Sequence, residues 1–359
     1  MSGSSGSTHA HTRPSARRPE FEPPSRWRVR RPRRRTRRRL AVGAGLLLLA
    51  VAVAAFVLTR SDEPAQSSAA NRDLRPAGRV LGPPIPIVGS PSSVVSSPDG
   101  IWVVTAPEGR IFRFDQQLSR MQRPGALIGG RPVALAAAFR SIWVASSDSN
   151  MVSRFSPHTG LVLERIPVGD SPSWLTADDQ GLWVVNREDD TLMRIDPTTN
   201  RVSGRPIKVG DDPTAVAYGH KAVWVTNSGD DTVSRIDPRT REAVTIDVGD
   251  HPTGLTLSGK AVWVANFEDD NLQRIDTTTN RVVATIPVGD GPNHPRTGKT
   301  IWVPNTRDGT LTRIDPLTDR VIGLPVRIGQ TADRVSTGVE NLWVISFADQ
   351  TLTRLQGAE

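Results

Sequence analysis

Three short segments of this chain put large, functional side chains where matching segments put small ones. They are Ser173-Trp174, Asn293-His294 and Asp333-Arg334. An indole offers a stacking face. An imidazole exchanges protons near neutral pH. A guanidinium presents a fork of donors that fits carboxylates and phosphates. Trp174, Asn293, His294, Asp333 and Arg334 are therefore the candidate binding residues. Asp170, Asp211, Asp212, Asp250 and Asp290 lie in loops expected to rim the same site. Other chemistries are poorly supplied. The chain has no cysteine, so thiolate nucleophiles, thiolate metal ligands and disulfides are excluded. The pairs Asp189-Asp190, Asp230-Asp231 and Asp269-Asp270 fall in turns, where Asp is a good turn former. Two carboxylates per turn fall short of the 6–8 oxygens that Ca²⁺ usually takes, so no metal and no cofactor is expected.

The elements that position these residues repeat. An aliphatic-Trp-Val triplet occurs at Trp102, Trp143, Trp183, Trp224, Trp263, Trp302 and Trp343, at spacings of 41, 40, 41, 39, 39 and 41. A period near 40 with four short strand signals per unit is a propeller signature. The unit from Thr253 shows the layout. Strands are expected over 253–257, 261–266, 271–276 and 281–288, with turns between them. In the last of these, Val282, Ala284, Ile286 and Val288 alternate with more exposed positions, the period of a strand. The units hold no helical periodicity, which excludes an α-solenoid. The seventh unit ends after its third strand. An orphan segment, 79–89, precedes the first unit and matches the fourth strand of the sixth, 320–329. The expected fold is an all-β, seven-bladed β-propeller closed three-plus-one, with residues near Ile85 antiparallel to residues near Leu352.

Stretches such as VWVANFEDDNLQRIDTTTNRVVATIPVGDGP (262–292) resemble the YVTN-type β-propeller repeat, related to NHL and virginiamycin-lyase-like propellers. The resemblance covers about three quarters of the chain and implies the fold. What it implies about activity is weaker, because sites are grafted onto such scaffolds.

Internal equivalence separates scaffold from site. An arginine falls eleven residues after every repeat tryptophan: Arg113, Arg154, Arg194, Arg235, Arg274, Arg313 and Arg354. In five units an aspartate follows two residues later. What every unit carries is expected to hold blades together, here as Arg–Asp pairs with guanidinium stacked on tryptophan. The departures concentrate in units three, six and seven. Unit six also carries Pro292, Pro295 and Pro304, the last two expected to interrupt strands. Rule-breaking positions are where function is expected.

Charge is split along the chain. Formal net charge is +8, yet residues 1–39 hold thirteen arginines against Glu20 and Glu22, so the rest is near neutral. Ten of the fourteen residues 26–39 are arginine. Residues 40–58 are then free of charge and long enough, at roughly 28 Å as a helix, to span a bilayer. The expected organisation is a disordered cytoplasmic tail (1–39), a transmembrane helix (40–58), a linker (59–78) and the propeller (79–356). The positive-inside rule puts the tail in the cytoplasm and the propeller outside, and a cleaved signal peptide is the competing reading. The arginine run suits anionic lipid. Nucleic-acid binding is not expected, because the body lacks a basic reading surface. The propeller is expected to be monomeric.

The functional expectation is a non-catalytic extracytoplasmic binding module at the propeller mouth. One alternative is a lyase resembling virginiamycin B lyase. That chemistry implies a convergent His/Glu set, usually with Mg²⁺. The body has only His158, His220, His251 and His294, and no inner strand starts with glutamate. The enzyme question stays open and is weighted toward no. A second alternative is a sensor that signals through the tail.

Overall fold

The computed structural model describes residues 75–116, 121–338 and 341–356. The tail, the expected membrane span and all but the last residues of the linker lie outside these. Among the described residues no helix is long and apolar enough to cross a membrane.

Seven antiparallel sheets follow one another around a ring. In blade five the strands are Pro252–Ser258, Ala261–Asn266, Asn271–Asp276 and Arg281–Pro287, in that order from the inside outward. The second strand is buried along its whole length, as are its counterparts in other blades. The seven repeat tryptophans sit in these strands and are at most 2% exposed. Innermost strands touch their neighbours in cyclic order, and blade seven touches blade one.

The apolar core lies between blades rather than within them. Trp224, Val233 and Ile246 of blade four pack with Leu255, Val262 and Ile275 of blade five. Trp343, Ile345 and Leu352 of blade seven pack with Val94, Ile101 and Phe112 of blade one, together with Ile87. Each blade thus covers a face of the next, and no sheet is left with an exposed apolar side.

Blade seven contains Arg334–Thr337, Asn341–Ser346 and Thr351–Gln356. Its outer neighbours are Arg79–Val80 and Ile85–Pro86, antiparallel, with Val80 opposite Leu355 and Ile85 opposite Leu352. The fourth strand of blade six is split in the same way, into Arg320–Val321 and Val326–Arg327. Pro295 does shorten the inner strand of blade six, which keeps only Arg296–Thr297 and a single bridge from Pro292 to Asn305. Pro304 behaves otherwise. It stays inside the strand Ile301–Asn305, opposite Leu311, and its carbonyl accepts the Asn293 N–H at 2.8 Å.

Candidate functional site

A fixed landmark opens each inner segment, a proline in six blades and Ala332 in the seventh; in the first five blades it is also the first residue of the inner strand. In five blades the register slips by one residue just after the proline, a β-bulge that re-aims the next side chains. The residue after the landmark ties blades together. Ser92, Ser173, Thr214 and Thr253 each donate a hydroxyl to the landmark carbonyl of the next blade, at 2.7, 2.9, 3.0 and 3.1 Å. Pattern reading missed this latch. Its sequence signal is a Ser or Thr directly after the Gly-x-x-Pro loop.

The second residue after the landmark is small in four blades: Ser93, Ala134, Ala215 and Gly254. In blades three, six and seven it is Trp174, His294 and Arg334. These three converge although blade three is adjacent to neither blade six nor blade seven. The Trp174 and His294 rings lie 4.1 Å apart between centroids, tilted by 44°. Arg334 stands over the Trp174 ring at 5.0 Å, and Arg296 stands over it at 5.9 Å. Trp174 therefore reaches from blade three onto blades six and seven. At 7% exposure it is a crossbar inside the ring rather than an open platform. Arg296 escaped sequence reasoning because it sits two residues further along. Its signal is plain in retrospect: the equivalent positions hold Val95, Ala136, Thr176, Ala217, Thr256 and Ser336, none of them charged.

The polar contacts inside this cluster are specific. Arg334 Nη1 donates to Asn293 Oδ1 at 3.0 Å and to His294 Nδ1. Asn293 Oδ1 also touches His294 Nδ1. Nη1 carries two hydrogens, one for each acceptor. With the imidazole proton on Nε2, both contacts of Nη1 are hydrogen bonds. Burial pushes the His294 pKa well below its usual value, and the charges of Arg334 and then Arg296 push it the same way. The ring is thus neutral at pH 7. Arg334 is pulled down to about 10, first by burial, with Asp333 opposing, and it stays charged at neutral pH. His294 Nε2 and Arg334 Nε are buried without a hydrogen-bond partner.

The backbone here is also unusual. His294 has φ of +30°, a region that side chains other than glycine rarely adopt. Gly254 of the neighbouring blade leaves room for it. A Cβ at 254 would lie 2.5 Å from the His294 Cα and 2.6 Å from its N.

Asp333 turns away from the cluster. Its Oδ2 accepts the Phe347 N–H and the Thr331 hydroxyl, both at 2.6 Å. Two of the loop carboxylates expected at the rim are tied to arginines: Asp212 to Arg187, and Asp290 to Arg307 at 3.3 Å. His158 lies 3.5 Å from Asp99 on the outside, and His251 packs edge-on against Phe267. Neither shares a contact with His294 among the described residues. A surface cavity of about 500 Å³ is lined by Asp196, Thr199, Arg201, Val202 and Ser203, none of them a residue of the cluster.

The repeated arginines serve the scaffold. Arg113, Arg154, Arg194, Arg235, Arg274 and Arg313 each stack on the tryptophan of their own blade at 4.9–5.9 Å. Four reach into the next blade: Arg113 to the Pro157 carbonyl, Arg154 to that of Pro197, Arg274 to Asp319 and Arg313 to the Ala77 carbonyl. Four of the aspartates two residues along are not their hydrogen-bonded partners. Asp196, Asp237, Asp276 and Asp315 accept from their own turns instead. The turn carboxylates likewise hold loops. Asp189, Asp230 and Asp269 accept the N–H of Asp170, Asp211 and Asp250. Asp190, Asp231 and Asp270 accept one from the following blade's loop, at Asp212, His251 and Gly291. Among the described residues no three His, Cys, Asp or Glu side chains converge as metal ligands.

No family model matches the chain, and no curated protein matches its sequence. Solved structures do match. A streptogramin B lyase structure is similar at a TM-score of 0.66 and 17% identity, covering 78% of this chain and 96% of that one. Virginiamycin B lyase from Staphylococcus aureus is similar at 0.67 and 15%, covering 76% and 98%. Hydrazine synthase from Kuenenia stuttgartiensis is similar at 0.66 and 16%, covering 78% and 99%. The likeness is one of fold. It makes the chain a β-propeller repeat protein and leaves binding and lyase chemistry both compatible with that scaffold.

Proposed function

We propose that this protein is a membrane-anchored, extracytoplasmic β-propeller that binds a ligand on the ring axis without transforming it. One observation carries the binding reading. Three non-equivalent blades place large side chains at one equivalent position, and the three meet across the ring with Trp174 and His294 4.1 Å apart. Trp174, Asn293, His294 and Arg334 form the site, with Arg296 added, and Asp333 braces the loop behind Arg334.

The lyase reading draws on the similar lyase structures. Its acid–base chemistry would need a carboxylate or second imidazole beside His294. The neighbours of His294 are Asn293, Arg334 and Trp174, and an arginine neither takes up a proton at neutral pH nor ligates Mg²⁺. The cluster is therefore arranged to hold rather than to react.

The anchor reading rests on the apolar run 40–58 and the arginines before it. The tail would sit on anionic lipid at the cytoplasmic face. Pairing of 79–80 and 85–86 with Thr351–Gln356 supports a ring closed by three C-terminal strands and one N-terminal strand. A closing strand from the membrane-proximal side also hides the edge of Thr351–Gln356.

Two experiments test the proposal. The chain has no cysteine, so single cysteines report topology cleanly. Leu317→Cys, at a site 91% exposed, should react with a membrane-impermeant maleimide in intact cells, whereas Ser5→Cys should react only after lysis. The opposite pattern overturns the topology. A ligand screen on the purified chain should yield binding that Trp174→Ala abolishes with the fold intact. Turnover of a bound compound would replace the binding reading with the enzymatic one.

A further inference from the structure

We propose that the axial cluster of Arg296, Arg334, His294 and Trp174 recognises a small oxyanion, a carboxylate or phosphate borne by a small molecule. The inference rests on the axial site described above and assigns its ligand class.

The donor inventory points there. Every acceptor within the cluster is taken, because Asn293 Oδ1 and His294 Nδ1 share Arg334 Nη1. What remains without a partner among the described residues is the His294 ring atom Nε2 and the donor Arg334 Nε. Among the described residues Arg296 shows only its stack on the indole. Asp333, next to Arg334 in the sequence, accepts from Phe347 and Thr331. Two guanidiniums on one indole repel each other, and burial raises that cost. The scaffold arginines supply an internal contrast. Arg113, Arg154, Arg194, Arg274 and Arg313 also stack on tryptophan, yet each has a carbonyl or carboxylate partner as well; Arg235, whose Nε is buried without a partner, is the exception. Among the described residues neither Arg296 nor Arg334 has a hydrogen-bonded carboxylate, although the charge of Asp333 reaches Arg334. An oxyanion supplies the missing charge and acceptors together, and such charge-assisted bonds are the strong ones.

The shape agrees with a small ligand. Arg296 and Arg334 are half-buried, while Trp174 and His294, each 7% exposed, close the site beneath them. His294 stays neutral there, so the positive charge of the cluster is that of its two guanidiniums. The strained His294 backbone is a further mark of a site held for use.

Calorimetric titration of the full chain tests this, with inorganic phosphate, succinate, methyl glucoside and choline as probes at matched chloride. Saturable 1:1 binding of phosphate or succinate is expected, and which of the two binds decides between the phosphate and carboxylate sources. Arg296→Met and Arg334→Met should each weaken it about ten- to hundred-fold, the scale of a charged hydrogen bond. Arg296→Lys and Arg334→Lys, which keep the charge, should weaken it less, and Arg281→Met, at an exposed outer-strand position, should leave it unchanged. Circular dichroism confirms folding, and the lysine variants stand in if the methionine variants fail to fold. Oxyanion binding indifferent to both arginines overturns the inference. So does binding of only methyl glucoside or choline, lost on Trp174→Ala, although the axial site then survives. Absence of any Trp174-dependent binding among the four probes overturns both.

Discussion

Removing one scaffold arginine should unfold the ring far more readily than removing another, although the two are equivalent by sequence. Arg154 stacks on Trp143 at 4.9 Å. It also donates to Ser141 Oγ at 2.9 Å, and to the Pro197 carbonyl and Asn200 Oδ1 of the next blade, each at 2.7 Å. Arg235 stacks on Trp224 at 5.6 Å, and its Nε is buried with no partner. Hydrogen bonds to charged groups contribute about 1.5–3 kcal/mol each. Water can replace part of that at a half-exposed rim, so Arg154→Ala should cost about 3 kcal/mol. The Arg235 stack contributes about 1 kcal/mol. Its unpaired Nε offsets some of this, so Arg235→Ala should cost under about 1 kcal/mol. At about 2–4 °C per kcal/mol for a domain of this size, Tm should fall by about 6–12 °C for Arg154→Ala and by no more than about 4 °C for Arg235→Ala. Thermal unfolding followed by circular dichroism reads both directly. Equal losses would show that stacking alone carries the ladder, and the interblade hydrogen bonds would then have no part in it.

Four further outcomes follow from the same geometry. Gly254→Ala puts a methyl 2.5 Å from the His294 Cα, so one strand must shift; stability should drop by about 1–3 kcal/mol, and ligand binding at the axis should fall with it, whereas Ala134→Gly in a blade without a large partner should leave binding intact. His294 titrates below its usual 6.5 when folded, so the unfolded chain binds its proton first; the His294 contribution is complete above about pH 6.5 and is lost as pH falls toward the folded value. Plots of Tm against pH from 7 to 5 should therefore slope more for the wild type than for His294→Gln, and parallel plots would contradict a neutral buried imidazole. The turn carboxylates act lower: Asp237 and Asp276 are depressed from 3.8 mainly by the N–H groups of Arg239 and Thr279, so their contribution is present above 3.8 and lost only below it. Deleting 75–89 strips Ile87, which is 3% exposed, and the outer partner of Thr351–Gln356; the truncated ring should aggregate or melt earlier in light scattering and calorimetry, and an unchanged melt would mean that the N-terminal segment is dispensable.

The scaffold was legible because it repeats. Blade five's second and third strands run over the residues expected from the alternation, and its first and fourth differ only at their ends. A feature present seven times averages out local noise, and the tryptophan–arginine spacing of eleven is the hairpin register that sets Trp183 opposite Arg194. What repetition cannot reveal is partner choice across blades. Arg–Asp pairing looked natural from a spacing of two. But the aspartate starts a tight turn, where its own following N–H groups lie within 3 Å, while the arginine side chain is long enough to reach the next blade. Local acceptors won because closing a two-residue gap costs less order than closing a forty-residue one.

The site was legible only as a set of exceptions, and its geometry was not. Deviation from the repeat picked out Trp174, His294 and Arg334, yet nothing in one dimension says that blade three meets blade six. That meeting depends on the size of the residues opposite. Ser93, Ala134, Ala215 and Gly254 leave the axis open, and an indole can then cross it. Arg296 shows the same point from the other direction. Beside a small residue, a lone arginine on the inner strand of blade six would face water. Beside Trp174 it becomes half of a cationic pair with no acid to match it. The charge that dominates the composition sits in residues 1–39, whereas the charge that defines this site amounts to two arginines on a body that is close to neutral. Binding chemistry in a repeat fold is therefore to be sought where one blade's exception lands on another's, rather than where residues of one kind are most numerous.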